Sequence, residues 1–412
     1  MKRVILSILL FTTLTHVKSQ IINVTNATQI SVITCSPCQS EVYAKFGHSG
    51  MRISDIAQGI DMLFNWGIFS FNTDNFYLKF IIGHTDYQLG MVETAHFLEE
   101  YRARGSSVTE QILNLNLNEK IHLVDLLLEN YQPENREYRY NFVFDNCATR
   151  PCNIAISALS ACGEHIDFNK TQLVSLTYRE LITQYIGKNT WLMFGIDLIF
   201  GASADQTPNE IEEIFLPEIL KGKFSDSTIV SEEQEKRDLV SVHNVLVPPT
   251  KDEPSPDEQK VSFPFWVLSV LLLARGFYFY KEIKYWGKKY RLFDCILLVC
   301  VGMIGIIAFF LTFISVHPLV GNNYNILWLM PLNVVAGVLI WFKPMRKILF
   351  FYFLIYALMI IVAWCIYAAN IQVINYAFIP LILTMMIVAL SWEIRCYLAL
   401  DRKKLKKIFR KI

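Results

Sequence analysis

The chain has 412 residues, 53% of them hydrophobic, with 38 Lys and Arg against 37 Asp and Glu and a net charge of +1. That apolar content is too high for a purely water-soluble protein and requires a membrane part. The balanced charge, with no zinc-finger spacing and no basic, aromatic-interleaved sheet pattern, argues against nucleic acid as a partner.

Residues 1–19 read as a secretory signal: Lys2 and Arg3, an apolar run from Val4 to Leu14, then small or neutral residues to Ser19. Export implies an oxidising compartment, which bears on the nine cysteines. Cys295, Cys300, Cys365 and Cys396 fall in or beside apolar spans and read as packing residues. Cys35, Cys38, Cys147, Cys152 and Cys162 belong to the exported part, an odd set that leaves at least one thiol unpaired within a monomer.

From 20 to 224 the pattern is that of a mixed α and β domain. "SVITCS", "SGMRIS" and "MLFNWGIFSF" alternate like strands, and "DIAQGID" reads as the turn that makes 49–70 a hairpin. "TAHFLEEYRAR" and "NLNEKIHLVDLLLENY" have helical spacing, the latter opened by an Asn cap. The aromatic run "YRYNFVF" is expected as a strand leading into a helix that carries Cys147. Residues 225–262, with "VPPTKDEPSPDEQK", read as a linker.

Five apolar spans follow, at about 263–280, 293–315, 325–342, 348–368 and 374–399, each near the length a bilayer requires. They make a transmembrane domain over 263–402, ending in a basic tail at 403–412. The basic loops "KEIKYWGKKYR" and "KPMRK" alternate with the neutral "HPLVGNNYN" and "ANIQVIN". The positive-inside rule therefore puts the C-terminus in the cytoplasm and the first domain outside. A helical bundle with basic inner loops belongs in the inner membrane of a bacterium.

Chemistry concentrates around "FDNCATRP". A cysteine at a helix mouth, with Asn146 as a cap, faces unpaired N–H groups and the positive end of the helix dipole, which favours thiolate. Pro151 fits only a first turn, so the helix starts near Thr149. A buried structural thiol or a disulfide with Cys152 or Cys162 is the competing reading. His48, in a glycine-flanked turn opening a strand, is placed to act as general base. Asn65, on the return strand of the hairpin, lies roughly opposite and is the candidate to orient it. Arg102, Arg104 and Arg150 are candidates for a phosphate head group, equally open to structural pairing. "TCSPC" has Cys-x-x-Cys spacing without the second half of a metal site, so it reads as a structural disulfide or two unrelated thiols, and no metal or other cofactor is expected.

The order His, a polar residue across a hairpin, then Cys at a helix start resembles the circularly permuted NlpC/P60 or papain-like group. The chain more closely resembles the Lnb family of Bacteroidota, through "TCSPC", "VYAKFGHSGMRISD", "FNWGIFSF", "YRARGSSVTEQIL", "ENREYRYNFVFDNCATRP" and "LMFGIDLIFGASAD", and through "HPLVGNNYNILWLMPLN" in the membrane part. Cys38 stands where a glycine is expected after "SP". The resemblance implies an α+β permuted papain-like (NlpC/P60-type) periplasmic domain followed by an all-α bundle of five transmembrane helices. It implies a lipoprotein N-acyltransferase that acylates the α-amine of a diacylglyceryl-cysteine, with Cys147 as nucleophile and His48 as base. Asn146, Tyr140, Arg150, Arg102 and His317 are the expected substrate-binding residues. A phospholipid acyl donor, a lipoprotein acceptor and the membrane are the expected partners. Two readings compete: a membrane-tethered cysteine hydrolase of peptidoglycan peptides or lipids, and a non-enzymatic envelope receptor or assembly factor.

Overall fold

The computed structural model describes residues 22–38, 43–69, 74–168, 176–249, 263–285 and 291–400. The expected signal (1–19), the tail 403–412 and the proline-rich stretch 250–262 lie outside the described residues. Among the described residues ten strands are formed: β1 (Gln29–Cys35), β2 (His48–Asp55), β3 (Ile60–Ile68), β4 (Asp86–Glu93), β5 (Val108–Leu113), β6 (Glu137–Arg139), β7 (His165–Asp167), β8 (Thr228–Val230), β9 (Lys236–Asp238) and β10 (Val240–Val247). Seven make one antiparallel sheet in the order β10-β5-β1-β2-β3-β4-β6, and β7, β8 and β9 make a smaller one.

Seven helices accompany them: α1 (Phe76–Ile82), α2 (Thr94–Ala103), α3 (Leu117–Tyr131), α4 (Thr149–Ala161), α5 (Tyr178–Ile186), α6 (Trp191–Ile199) and α7 (Pro217–Asp226). The α3 start is fixed by a capping box in which Asn116 and Glu119 satisfy each other's backbone N–H groups. Leu123, Val124 and Leu127 of α3 and Ala155, Ala158 and Leu159 of α4 are buried with Met51, Ile53 and Phe64 on one sheet face. Each fully buried leucine there contributes about 2 kcal/mol. The alternating residues Ile33, Cys35 and Leu63 point to the other face, where Phe97 of α2 covers them.

One expectation is corrected. The linker expected over 225–262 is shorter: its first part forms β8, β9 and β10, and β10 is hydrogen-bonded along β5 with Val240 and Val247 buried. The charged residues lie in the turn between β8 and β9 and on β9, the edge of the smaller sheet, where they are solvated.

In the membrane part the expected third span is irregular. Among the described residues, four helices are long and apolar enough to cross a bilayer: α8 (Phe263–Lys284), α9 (Arg291–Phe313), α11 (Arg346–Ala368) and α12 (Phe378–Leu400). The segment expected as a third span, 325–342, is not one helix. A 3-10 turn at Tyr324–Leu327 precedes α10 (Asn333–Leu339), whose seven residues rise only about 10 Å, and the segment still runs the depth of the bundle, from Asn325 beside Asp197 at the sheet-domain end to Ile340 beside Arg291 and Arg346 at the basic-loop end. Asparagines break it and find buried acceptor contacts inside the protein: Tyr367 donates to Asn325 Oδ1 at 2.7 Å, and Tyr352 donates to Asn333 Oδ1 at 2.7 Å. Charges in the bundle are likewise paired. Arg275 is fully buried and donates to Asp294 at 2.8 Å, which also accepts from Trp392 at 2.7 Å.

The sheet domain is clamped to the bundle. Phe194 and Leu198 of α6 are buried among the membrane helices, and Asn325 and Asn323 donate to the carbonyls of Asp197 and Leu198, each at 2.9 Å. Arg179 pairs with Asp197 and Asp205, and Asn375 donates to Asp197 at 2.7 Å. A Cβ on Gly201 would meet the backbone oxygen of Gly321 at 1.9 Å, with no side chain able to yield. Gly201→Ala should therefore lower stability by about 3 kcal/mol, read as a fall in Tm of the detergent-solubilised protein; an unchanged Tm contradicts the close approach.

Candidate active site

His48, Asn65 and Cys147 meet where β2 and β3 part. The ladder between these strands ends at Met51 and Phe64, and β3 carries an irregularity between Asn65 and Ile68 in its pairing with β4. Such a bulge re-aims side chains locally. Asn65 Oδ1 accepts from His48 Nε2 at 2.6 Å, leaving Nδ1 for the thiol. His48 is delivered by a turn that only glycine allows: Gly47 has φ +76°, and a Cβ there would lie 2.5 Å from the Cys35 carbonyl oxygen.

Cys147 comes from the opposite face of the sheet. The expected strand "YRYNFVF" pairs only through β6; then Asn141 and Asp145 bridge each other and a tight turn carries Cys147 to the mouth of α4, which starts at Thr149. Asn146 builds that turn. Its Oδ1 accepts from the N–H groups of Ala148 (2.7 Å) and Thr149 (3.0 Å), and its amide donates to the carbonyls of Phe142 (2.7 Å) and Phe215 (2.8 Å). Ser49 Oγ donates to the Cys147 carbonyl at 2.9 Å and ties the turn to β2.

Burial raises the Cys147 thiol, but the charge of His48, a hydrogen bond to it, and the N–H groups of Ser49 and Cys147 outweigh burial and lower its pKa. Burial likewise depresses His48, and the facing Cys147 and hydrogen bonds to Cys147 and Asn65 more than offset it, so its pKa is raised. The two shifts share one cause, the mutual stabilisation of thiolate and imidazolium, and favour proton transfer from thiol to imidazole. The neighbouring thiols behave oppositely: burial holds Cys35 well above its ordinary value and pushes Cys152 to about 12. None of the nine cysteines is bridged, and among the described residues no cluster has the makings of a metal site.

Tyr101 of α2 stacks on His48 at 6.1 Å, and Arg104 lies over the Tyr101 ring at 5.1 Å. These residues, with Asn65, Ile68, Phe69 and His96, line a cleft of about 490 Å³ beside the imidazole. The remaining sequence candidates are placed as follows. Arg102 is exposed on α2 and does not line the cleft; Arg104 does. Arg150 forks onto Asp145 and lies 4.1 Å over the Tyr138 ring, bracing the cysteine turn. Tyr140 stacks on Tyr87 at 4.2 Å, beside Cys147 in the core. His317 lies far from the thiol along the fold, with Nε2 2.7 Å from the Phe80 carbonyl oxygen. Asn146 has its bonding capacity consumed by the turn. Sequence reading missed Ser49 and Tyr101; Ser49 was legible only as the neighbour of His48, and Tyr101 carried no signal.

Asn65→Ala removes the acceptor that holds the imidazole in plane with the thiol. Turnover should fall on the order of ten- to a hundredfold with little change in KM, measured by steady-state kinetics; an unchanged kcat contradicts an orienting role.

No curated protein and no solved structure matches the chain. Residues 18–184 match the Lnb N-terminal periplasmic domain and residues 256–398 match the Lnb transmembrane domain, so the sheet domain is periplasmic and the helical part is a multi-pass membrane domain. With both domains present in that order, the chain belongs to the Lnb family.

Proposed function

We propose that the protein is a lipoprotein N-acyltransferase that carries an acyl chain on Cys147. The observation that carries this reading is the thiol–imidazole–amide arrangement of Cys147, His48 and Asn65, with Nε2 held by Asn65 at 2.6 Å and the thiol pKa lowered by the imidazole. A cysteine at the mouth of α4, packed on an antiparallel sheet whose β2 opens with the histidine, also supports a permuted papain-like domain. That domain extends through β10, and the C-terminus of the bundle is cytoplasmic, in the inner membrane.

In the first half-reaction the Cys147 thiolate attacks the carbonyl carbon of a phospholipid ester. The oxyanion is held by the N–H groups of Cys147 and Ser49, the same groups that stabilise the thiolate. The ester C–O bond breaks, His48 gives its proton to the departing oxygen, and a lysophospholipid leaves a thioester behind. In the second, the α-amine of a diacylglyceryl-cysteine attacks the thioester carbonyl and His48 accepts the amine proton. Collapse expels the Cys147 thiolate and an N-acylated lipoprotein departs. Both substrates sit in the membrane, and a catalytic domain clamped to a bundle raises their effective concentration.

The test uses cells that lack N-acylation, given either this protein or its Cys147→Ser variant. Mass spectrometry of a lipoprotein's N-terminal lipopeptide should show an added amide-linked acyl chain with the native protein alone. Release of free fatty acid or cut muropeptide without N-acylated product would assign a hydrolase instead.

A further inference from the structure

The seven-residue α1, "FYLKFII", turns its apolar side chains outward: Tyr77 is 73% exposed, Leu78 52% and Phe80 47%, with Ile81 beside them. Its far end is sewn to the periplasmic end of α9. The Val316 N–H donates to the Ile82 carbonyl at 2.8 Å, Ser315 Oγ donates to the same oxygen at 3.2 Å, and His317 Nε2 is 2.7 Å from the Phe80 carbonyl oxygen. Phe313, Ile314 and Val316 at that end of α9 are also exposed, so helix and span share one continuous apolar surface. An exposed apolar patch contiguous with a transmembrane helix matches lipid chemistry.

From the exposed Phe80 a row of rings runs inward. Phe80 stacks on Phe76 (6.1 Å), Phe76 on Phe69 (5.8 Å), Phe69 on Tyr87 (4.9 Å) and Tyr87 on Tyr140 (4.2 Å). Phe69 is also a wall of the cleft beside His48, and Tyr140 packs in the core with Cys147. The row therefore joins the apolar surface to the reacting thiol.

We propose that α1 lies in the periplasm-facing leaflet of the bilayer and that this aromatic row is the route by which the acyl chain of a membrane phospholipid reaches Cys147. The route rests on the acyl-transfer reading; the membrane contact does not. A long acyl chain passing along the edges of these stacked rings keeps apolar contact, whereas a chain crossing water would pay about 0.8 kcal/mol per CH₂ exposed.

A photoreactive benzophenone side chain in place of Leu78, in the full chain reconstituted into phospholipid vesicles, tests the contact without any catalysis. Phospholipid adducts at 78, absent when the same group replaces the exposed Ile56 of the β2–β3 turn, are expected. Crosslinks to a second copy, or no lipid adduct, overturn the membrane contact. Leu78→Asp should lower transfer from vesicle phospholipid on the order of tenfold while leaving transfer from a short-chain phospholipid below its micellar concentration within about twofold. An equal fall with both donors overturns the route, with alkylation of Cys147 showing that the fold is intact. If lipid adducts form but the native protein transfers no acyl chain, the enzyme reading fails and the membrane contact stands.

Discussion

Replacing Cys147 with serine should reduce acyl transfer by about a thousandfold or more. The site is arranged around a thiol whose proton passes to His48, and a hydroxyl at the same place is too weak an acid for that exchange. Burial, which the thiolate overcomes with the help of His48 and two N–H groups, would weigh still harder on an alkoxide. Two neighbouring thiols are not poised for the role. Cys35 is buried and held protonated, and Cys152 faces into the core from α4. Kinetics with a labelled phospholipid donor and a diacylated lipopeptide acceptor measure the loss, and retention of even a tenth of native activity contradicts a nucleophilic Cys147.

The second large effect belongs to His48. Its removal deletes the charge and the hydrogen bond that lower the thiol pKa, while burial, the strongest influence on that thiol and an opposing one, stays. The sign follows directly: the thiol of His48→Ala titrates at higher pH than the native thiol. Alkylation of Cys147 by iodoacetamide should persist into mildly acidic solution in the native protein. In the variant it should fall about a hundredfold at pH 6, with the rate–pH midpoint displaced to the alkaline side. Superimposable profiles contradict the pairing. Acyl transfer should drop in parallel, and the Cys147→Ser, His48→Ala double variant should be little worse than either alone, because the two groups act as one unit.

Much of the local structure was legible because it is written in short-range signals. The alternation in "SGMRIS" and "MLFNWGI" with a polar turn between them fixes the β2–β3 hairpin, and the hairpin brings Asn65 and His48 to the same end, just beyond the last paired residues Met51 and Phe64. The Asn116 cap opens α3, and Pro151 forces the start of α4 back to Thr149. What was not legible depends on distant partners. β10 is a strand because β5 offers it a free edge more than a hundred positions earlier, and its charged neighbourhood gave no hint of that. The 325–342 segment has the apolar content of a span, and only its packing shows that Asn325 and Asn333 accept buried hydrogen bonds at their side-chain oxygens instead of continuing a helix. Arg102 and Arg104 are two positions apart and so point different ways; Arg104, just past the end of α2 and over the Tyr101 ring, is the one at the cleft. The turn residue Asn146 was visible as a cap, but its two carbonyl partners, one of them on Phe215, were not.

The central claim is that Cys147 carries the acyl chain, and it is tested most directly by exposing the purified full chain to phospholipid vesicles with no acceptor present. Peptide mass spectrometry should then find one fatty acyl group on the Cys147 peptide, removed by neutral hydroxylamine as a thioester is, and discharged when a diacylglyceryl lipopeptide is added. An enzyme that transfers acyl chains to the lipopeptide while Cys147 stays unmodified throughout, or stays modified after the acceptor is added, would contradict the account.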